Sequence, residues 1–388
     1  MSQVPTDVPV WRTPLRAPTL LERKVTGYYF RLTEPLGARW QASAEAAVRQ
    51  LWPEYRWDAL LVTCPPFSLL ELARRLAARY SMPLVVDMRD GWSQWCLTPW
   101  ASRFHYWANC WMERRVLRQA AAVLVPTHQV GRDLQRQHGK CLEGRWSFVP
   151  NGFDQDLSSS FRPVTVRTKP QVVIGYVGSF YFNPYSHRLI YEPWYRKKPH
   201  QFFQYVPRRE DWSYRSPLYF FRCLAELFRL EPRRREQITV RIAGRQPDAI
   251  RQMADDLGIA DRVEWVGFLK KAEIIRFYEG CDYLLSTSVK VEGGEDYCVG
   301  GKTYEYFAAA KPILGFVARG AQREVLEGSG LSEIFDPDQT NENAVRLASL
   351  LDLPEKIYQP DAAFLSQFDP SVTVRSVAEV LQRSSAGR

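Results

Sequence analysis

The stretch Gly300–Leu314, GGKTYEYFAAAKPIL, sets two glycines and a lysine ahead of a helix pattern that carries a carboxylate, Glu305. Tyr304, Phe307 and Ala308 recur at i, i+3, i+4 spacing, the pattern of a helix face that packs on a core, and Glu305 stands one residue from that stripe. KPIL, just after the helix, reads as the opening of a buried strand. A helix N-terminus offers free N–H groups and the positive end of a dipole to an anion. Gly300 and Gly301 let a phosphate approach the backbone, and Lys302 adds a full charge. Glu305, about one turn in, has two acceptor oxygens for two neighbouring hydroxyls. Adjacent hydroxyls beside a diphosphate are what the ribose of a nucleotide presents. A capping or salt-bridged glutamate, with Lys311 as its partner, is the competing reading; the glycines and lysine at suitable spacing favour the nucleotide.

Other candidate residues come from strand ends, because open parallel sheets bind ligands in the crevice at the carboxyl ends of their strands. VVIGYV is followed by Gly178 and Ser179, and ITVRIAG by Arg245. PLVVD runs into MRDGW, which sets Asp87, Arg89, Asp90 and Trp92 at one strand end. Each signal alone has a plain structural alternative. Gly178 and Gly244 suit tight turns, Arg245 a solvated loop charge, and Asp87 and Asp90 helix caps or an ion pair with Arg89. Their agreement carries more: cationic, glycine-rich strand ends in the second half of the chain, and paired charges in the first.

The elements that must position these residues alternate between strand and helix. Strands are expected at 59–63, 83–87, 121–126 and 146–150, with a helix over SLLELARRLAARY and another from Thr127. The pattern restarts with strands at 172–179, 238–244, 263–267, 282–287, 311–317 and 332–336. Such alternation argues for parallel sheets built of βαβ units. The expected division is a first domain over 1–165, a second over 166–370 and a closing amphipathic helix over 371–388. SSSFRPVTVRTKP has linker composition between the two domains. Residues 181–216 form an aromatic and basic insertion with little periodicity. Interleaved aromatics and cations can stack bases and hold phosphates, but an ordered excursion packed on the body of the protein is the better reading. Residues 1–56 show a Pro-rich start and one helix-like patch, WQASAEAAVRQLW, in place of the strand and Gly-rich turn that normally open a doubly wound domain.

The 388 residues suffice for two cores. No run of about 18 apolar residues appears, and the start lacks the features of a signal peptide. The seven cysteines (64, 96, 110, 141, 223, 281, 298) are scattered, without CxxC or zinc-like spacing, and read as reduced thiols of a cytosolic protein. A net charge of +9 favours an anionic partner: nucleic acid, a phosphorylated ligand or an acidic membrane surface.

The ordered set TCPPFSLLELA, VVDMRDGW, VLVPT, VPNGFD, IGYVGSF, VRIAG, VEWVGFL and GGKTYEYFAAAKPIL resembles the retaining, nucleotide-sugar-dependent GT-B glycosyltransferases, in particular the bacterial group 1 (family 4-like) class that builds surface polysaccharides. The resemblance covers about residues 57–385, and its most specific part is K-x-x-E-Y…KPIL. It implies two Rossmann-like domains facing across a cleft, with the last helix crossing back to the first domain. It implies transfer of a sugar from a UDP- or GDP-type donor to a hydroxyl, with retention, on a lipid-linked or growing polysaccharide. By resemblance Glu305 binds the donor ribose, Gly301 and Lys302 face the donor, Gly178 and Ser179 approach the diphosphate, and Arg245 neutralises it. Asp87 and Trp92 fall on the acceptor side, and Arg89–Asp90, where many members carry a His–Asp pair, are the candidate catalytic residues. No metal or resident cofactor is expected, since the nucleotide sugar is a co-substrate. The expected location is cytoplasmic, peripheral at the inner face of the plasma membrane, with 107–119 as an interfacial helix or a core-packed one.

Three departures from the family pattern stand out. Tyr297 occupies the position eight residues before the ribose glutamate where many members carry another glutamate, with Glu295 and Asp296 adjacent. The usual Arg/Lys pair after IGYVG is absent as such, and the insertion offers Arg188, Arg196, Lys197, Lys198, Arg208 and Arg209 as substitutes. The first strand and Gly-rich loop are not recognisable. That last departure supports an alternative, a non-catalytic or truncated sugar-nucleotide-binding homologue. A nucleic-acid-binding protein is a weaker alternative, because the basic residues are dispersed and no nucleic-acid motif appears.

Overall fold

The computed structural model describes residues 7–15, 19–21, 35–94, 99–153, 161–180 and 193–386. Cys96, Arg188, the linker residues 154–160 and the 181–192 part of the insertion lie outside the described residues.

The fold is α/β. The first part begins with helix α1 (Pro35–Leu51) and then alternates β1 (Leu60–Cys64), α2 (Leu69–Arg79), β2 (Leu84–Met88), α3 (Arg103–Gln119), β3 (Ala120–Val125), α4 (His128–His138) and β4 (Trp146–Phe148). The four strands form one parallel sheet in chain order. Every residue of β2 is buried, so its sequence is an unbroken apolar run with one aspartate at its end. Helix α2 uses two faces. Leu70, Ala73 and Ala77 join the sheet core, while Leu72 and Leu76 meet Ala44, Trp40 and Val48 of α1. Thr127, where the sequence predicts the start of a helix, is the N-cap of α4, and its hydroxyl accepts the Val130 N–H at 3.1 Å.

The second part contains β5 (Val164–Arg167), β6 (Val172–Val177), β7 (Glu210–Asp211), α5 (Leu218–Leu230), β8 (Ile238–Ala243), α6 (Asp248–Asp256), β9 (Val263–Gly267), α7 (Lys271–Glu279), β10 (Tyr283–Thr287), β11 (Lys290–Val291), α8 (Gly301–Ala308), β12 (Ile313–Phe316), α9 (Ala321–Gly328), β13 (Ser332–Phe335), α10 (Thr340–Asp352) and β14 (Glu355–Tyr358). Six strands make a parallel sheet in the order β9–β8–β6–β10–β12–β13. Strand order therefore reverses between β6 and β10, and a crevice opens at the carboxyl ends of those two strands. Its core is aromatic: Phe316 stacks on Phe335 at 4.8 Å and meets Phe220 edge-on at 5.4 Å.

One expectation needs correction. VTVR, assigned above to linker, is strand β5, and it pairs antiparallel with β14. Its alternating Val164 and Val166 pack against the second core while Thr165 and Arg167 face out, a half-buried pattern too short to separate from the loop composition around it. The final helix α11 (Pro370–Ala386) lies against the first sheet. Val377, Val380 and Leu381 pack on Val85 and Leu124 of the first sheet and on Val149. The described part of the insertion is tied to the body at two places, while its aromatics Trp194, Tyr195 and Phe203 stay exposed and do not pack on it. Trp100 and Tyr205 exchange backbone hydrogen bonds at 2.8 and 3.0 Å, and β7 pairs antiparallel with β11.

Candidate functional site

Two glycines shape the mouth of the crevice. Gly178, just after β6, and Gly244, just after β8, have φ of 137° and 112°, and a Cβ on Gly244 would stand 2.4 Å from the Gly178 carbonyl oxygen. The Gly178 N–H donates to the Ala243 carbonyl at 2.9 Å. Gln246 locks the turn, donating to the Gly178 carbonyl at 2.6 Å and accepting the Phe180 N–H at 3.2 Å. Ser179 and Arg245 follow these turns, and the Arg245 side chain is exposed, with no ion-pair or hydrogen-bond partner among the described residues. The tight-turn reading of the glycines is thus correct, and it also brings the two strand ends within backbone contact.

Helix α8 stands over the same crevice. Its apolar face is wider than the sequence predicts, with Thr303, Tyr304, Tyr306 and Phe307 all buried and Ala308 only partly so. The Tyr306 hydroxyl accepts the Val177 N–H at 3.4 Å, tying the helix to the end of β6. Gln322, buried under the N-terminus, accepts the Gly300 N–H at 2.7 Å and donates to Thr303 and Ser286 at 2.7 and 3.1 Å. The N-cap residue, Gly300, has no side chain to cap the following amides, Gly301 is exposed, and a Cβ there would meet nothing within 4 Å. Glu305 is salt-bridged, but to Lys302 and not to Lys311. The Lys302 Nζ lies 2.9 and 3.0 Å from the two carboxylate oxygens, whereas Lys311 donates to the backbone carbonyls of Glu279 and Cys281. Tyr278 donates to Glu305 Oε2 at 2.9 Å; burial, then the carboxylate itself, holds that phenol protonated well above its ordinary range. Lysine and glutamate are both about 40% exposed (39% and 41%), so the pair is open to a ligand.

The sequence reading missed Arg215. It closes the insertion two residues ahead of Pro217 and α5, and its carbonyl accepts the Thr287 hydroxyl at the end of β10. Its guanidinium donates to Cys298 Sγ at 2.9 Å and lies 4.7 Å from the Trp212 ring. Burial works against its charge, but Cys298, Tyr297, Asp296 and Glu210 more than offset this and keep its pKa above the ordinary value. Arg208, among the substitutes named above, lies 3.7 Å over the Tyr297 ring and donates to Asp133 of α4 at 3.2 Å. The Tyr297 carbonyl accepts the Thr127 hydroxyl at 2.7 Å. The insertion and the loop after β10 thereby meet the first sheet's helices across the crevice.

Burial pushes the Asp296 carboxyl up to about 7, against the pull of the Cys298 N–H and of Arg215. A carboxyl whose pKa rises on folding contributes stability that is complete below its unfolded value and lost as pH rises through the folded one. The melting temperature is therefore expected to fall as pH rises from about 4 to 7, and by less in Asp296→Asn. Equal slopes for the two proteins would show that Arg215 already compensates the charge.

On the first-sheet side, Asp87 and Arg89 pair at 2.9 Å. Arg89 also donates to the Val149 carbonyl and to Asn151, at 3.1 and 3.4 Å, so much of its donor capacity holds its own loop. Asp90 is not part of that pair. It is half-buried, which raises its pKa, and the charge of Arg215 opposes the rise. Trp92 is 2% exposed, stacks on Phe67, and donates from Nε1 to Asn109 at 3.0 Å. It supports the loop from beneath and does not offer a free ring to an acceptor.

Two family models match the chain: a glycosyl transferase 4-like domain over residues 2–152 and a glycosyl transferases group 1 domain over residues 213–352. Each half of the chain thus matches a glycosyltransferase family model, and the fold is that of the GT-B enzymes. The glycosyltransferase superposes on the Anabaena protein Alr3699/HepE in complex with UDP with a TM-score of 0.56, at 18% identity, covering 87% of this chain and 81% of that one. It superposes on the lipopolysaccharide outer core galactosyltransferase WaaB with a TM-score of 0.55, at 14% identity, covering 88% and 80%. In sequence it is 26% identical over 180 residues to D-inositol 3-phosphate glycosyltransferase 2 of Catenulispora acidiphila, a match that spans 44% of this chain and 40% of that relative. Among the described residues no helix of the glycosyltransferase is long and apolar enough to cross a membrane.

Proposed function

We propose that the protein transfers a sugar, with retention, from a nucleoside diphosphate sugar of the UDP or GDP type to a hydroxyl of a lipid-linked or growing surface polysaccharide, on the cytoplasmic side of the membrane. The observation that carries this reading is the Lys302–Glu305 pair, open to solvent beside the strand-order reversal and within one turn of an uncapped helix N-terminus. In this reading a ribose displaces Lys302 from the carboxylate. The freed ammonium, the amides at Gly301, Ser179 and the turn at Gly178, and Arg245 then meet the diphosphate. The liganded complexes of Alr3699/HepE, a protein of the same fold, hold UDP, which supports UDP as the first donor type to test.

Retaining transfer of this kind passes through an oxocarbenium-like ion pair in which the leaving diphosphate helps take the acceptor proton. Cations and helix amides aimed at the developing negative charge then do most of the catalytic work. The proposal assigns Arg215 to that charge and Asp87, Arg89 and Asp90 to the acceptor side. It calls for no resident cofactor and no metal, and it gives nucleic acid no part.

Calorimetric titration with UDP, GDP, ADP and TDP tests the reading. One diphosphate is expected to bind tightly, and Glu305→Ala to weaken it by about 1–3 kcal/mol through its lost hydrogen bonds. Lys302→Ala serves as the second variant. Failure of all four to bind the folded protein would sink the nucleotide site. Tight binding without turnover of any donor would favour the non-catalytic homologue.

A further inference from the structure

Helix α3 buries polar groups beside its apolar Val116 and Leu117. Its inward residues include Asn109 and Glu113, both fully buried, which bond Trp92 and His138 at 3.0 and 2.8 Å. Three of its four Phe, Tyr and Trp residues face solvent: Phe104, Trp107 and Trp111 are 68%, 63% and 61% exposed. Their i, i+3, i+7 spacing lays them along one stripe. Among the described residues nothing covers these rings, and a soluble protein rarely leaves such a row uncovered. The cations around the stripe are exposed as well: Arg103, Arg114, Arg115 and Arg118, with Arg115 5.4 Å from the Trp111 ring. The single carboxylate of the helix, Glu113, is turned inward.

The insertion extends this surface. Tyr205 bonds to Trp100 in backbone pairing, sits 4.9 Å from the Tyr106 ring and lies under the Arg103 guanidinium at 5.3 Å. That contact fixes the segment 193–205 beside the N-terminal end of α3. The segment exposes Trp194, Tyr195 and Phe203 (69%, 66% and 77%), carries Arg196, Lys197 and Lys198, and contains no acidic residue.

We propose that Phe104, Trp107 and Trp111 of α3, together with Trp194, Tyr195 and Phe203 of the insertion, form one face that docks on an anionic lipid bilayer. Rings enter the headgroup boundary while arginines and lysines meet the lipid charge. Charge selects this occupant, since both segments present cations and aromatics without an exposed acid. The face is independent of the nucleotide site, so either can fail without the other.

The test is flotation of the whole protein with vesicles of phosphatidylcholine alone and with about 30% phosphatidylglycerol, a content high enough to give the surface a strong negative potential. Binding is expected only to the anionic vesicles, to decline as salt is raised toward about 0.5 M, and to weaken by about tenfold or more in W107S/W111S and in F203S. These positions are exposed, so unchanged nucleotide titration and melting temperature will show that each variant remains folded. Equal binding by variants and parent would overturn the proposal, as would absence of binding to anionic vesicles. Loss of a concentration-dependent dimer in the variants, in place of loss of vesicle binding, would assign the face to a second copy of the chain and likewise overturn it.

Discussion

Replacing Arg215 with alanine is expected to reduce turnover of the sugar nucleotide by about 100- to 1000-fold, the usual cost of removing one preorganised donor from a developing oxyanion. The Arg215 backbone is tied to the end of β10 through Thr287, and its guanidinium, which donates to Cys298, is held above its ordinary pKa by the groups around it. A cation in such a position costs nothing to reorganise when charge appears on the diphosphate. Arg215→Lys is expected to recover only part of the loss, because an ammonium lacks the planar, rigid fork with which the guanidinium can hold Cys298 and a second acceptor in fixed directions. The measurement is release of nucleoside diphosphate from the donor selected by titration. A second reading makes Arg215 a counter-charge to buried Asp296 and Glu210. That reading predicts a fall in melting temperature with near-normal turnover per folded molecule, and such a result would remove Arg215 from the chemistry.

Gly244→Ala is expected to destabilise the second sheet by about 2–4 kcal/mol and to abolish nucleotide binding. At φ of 112° a side chain is strained, and its Cβ would stand 2.4 Å from the Gly178 oxygen, a backbone atom that can yield only by moving the β6 turn. Gly258→Ala is the control. Its φ is 65° and nothing lies within 4 Å, so only the left-handed backbone cost of about 1–2 kcal/mol should appear. Denaturant unfolding separates the two, and titration reports the site. If Gly244→Ala costs no more than Gly258→Ala, the two turns are not in the close contact described.

How much of this was legible in the sequence depended on how local each signal was. The parallel strands were legible because burial on both faces leaves an unbroken apolar run, as in β2 and β12, whose residues are all buried. β5 and β14 were not, being short, half-exposed and paired with each other across 190 residues of chain. The Gly300–Glu305 arrangement was legible because one helical turn holds all of it. Its ion-pair partner was misassigned because Lys302, three residues before Glu305, and Lys311, six after it, differ only in which of them the strand β12 entry ties to carbonyls. Trp92 read as an acceptor-side residue since nothing near it in sequence reveals Asn109 as its partner. Arg215 escaped notice because its place follows from the insertion folding back through β7 onto β11, and no periodicity announces that.

The contacts of Tyr297 have a mechanical consequence. Thr127 holds its carbonyl from the first sheet's side, and Arg208, itself bonded to Asp133 there, covers its ring. Widening the crevice must therefore either drag the loop after β10 along or break the Thr127–Tyr297 hydrogen bond and the Arg208–Asp133 ion pair, together about 2–4 kcal/mol. The gap between the sheets and the shape of that loop act as one variable with one spring constant. A ligand that reshapes the loop would feel the stiffness of the whole hinge, and a substitution as remote as Thr127 would reach the donor as a change in that stiffness.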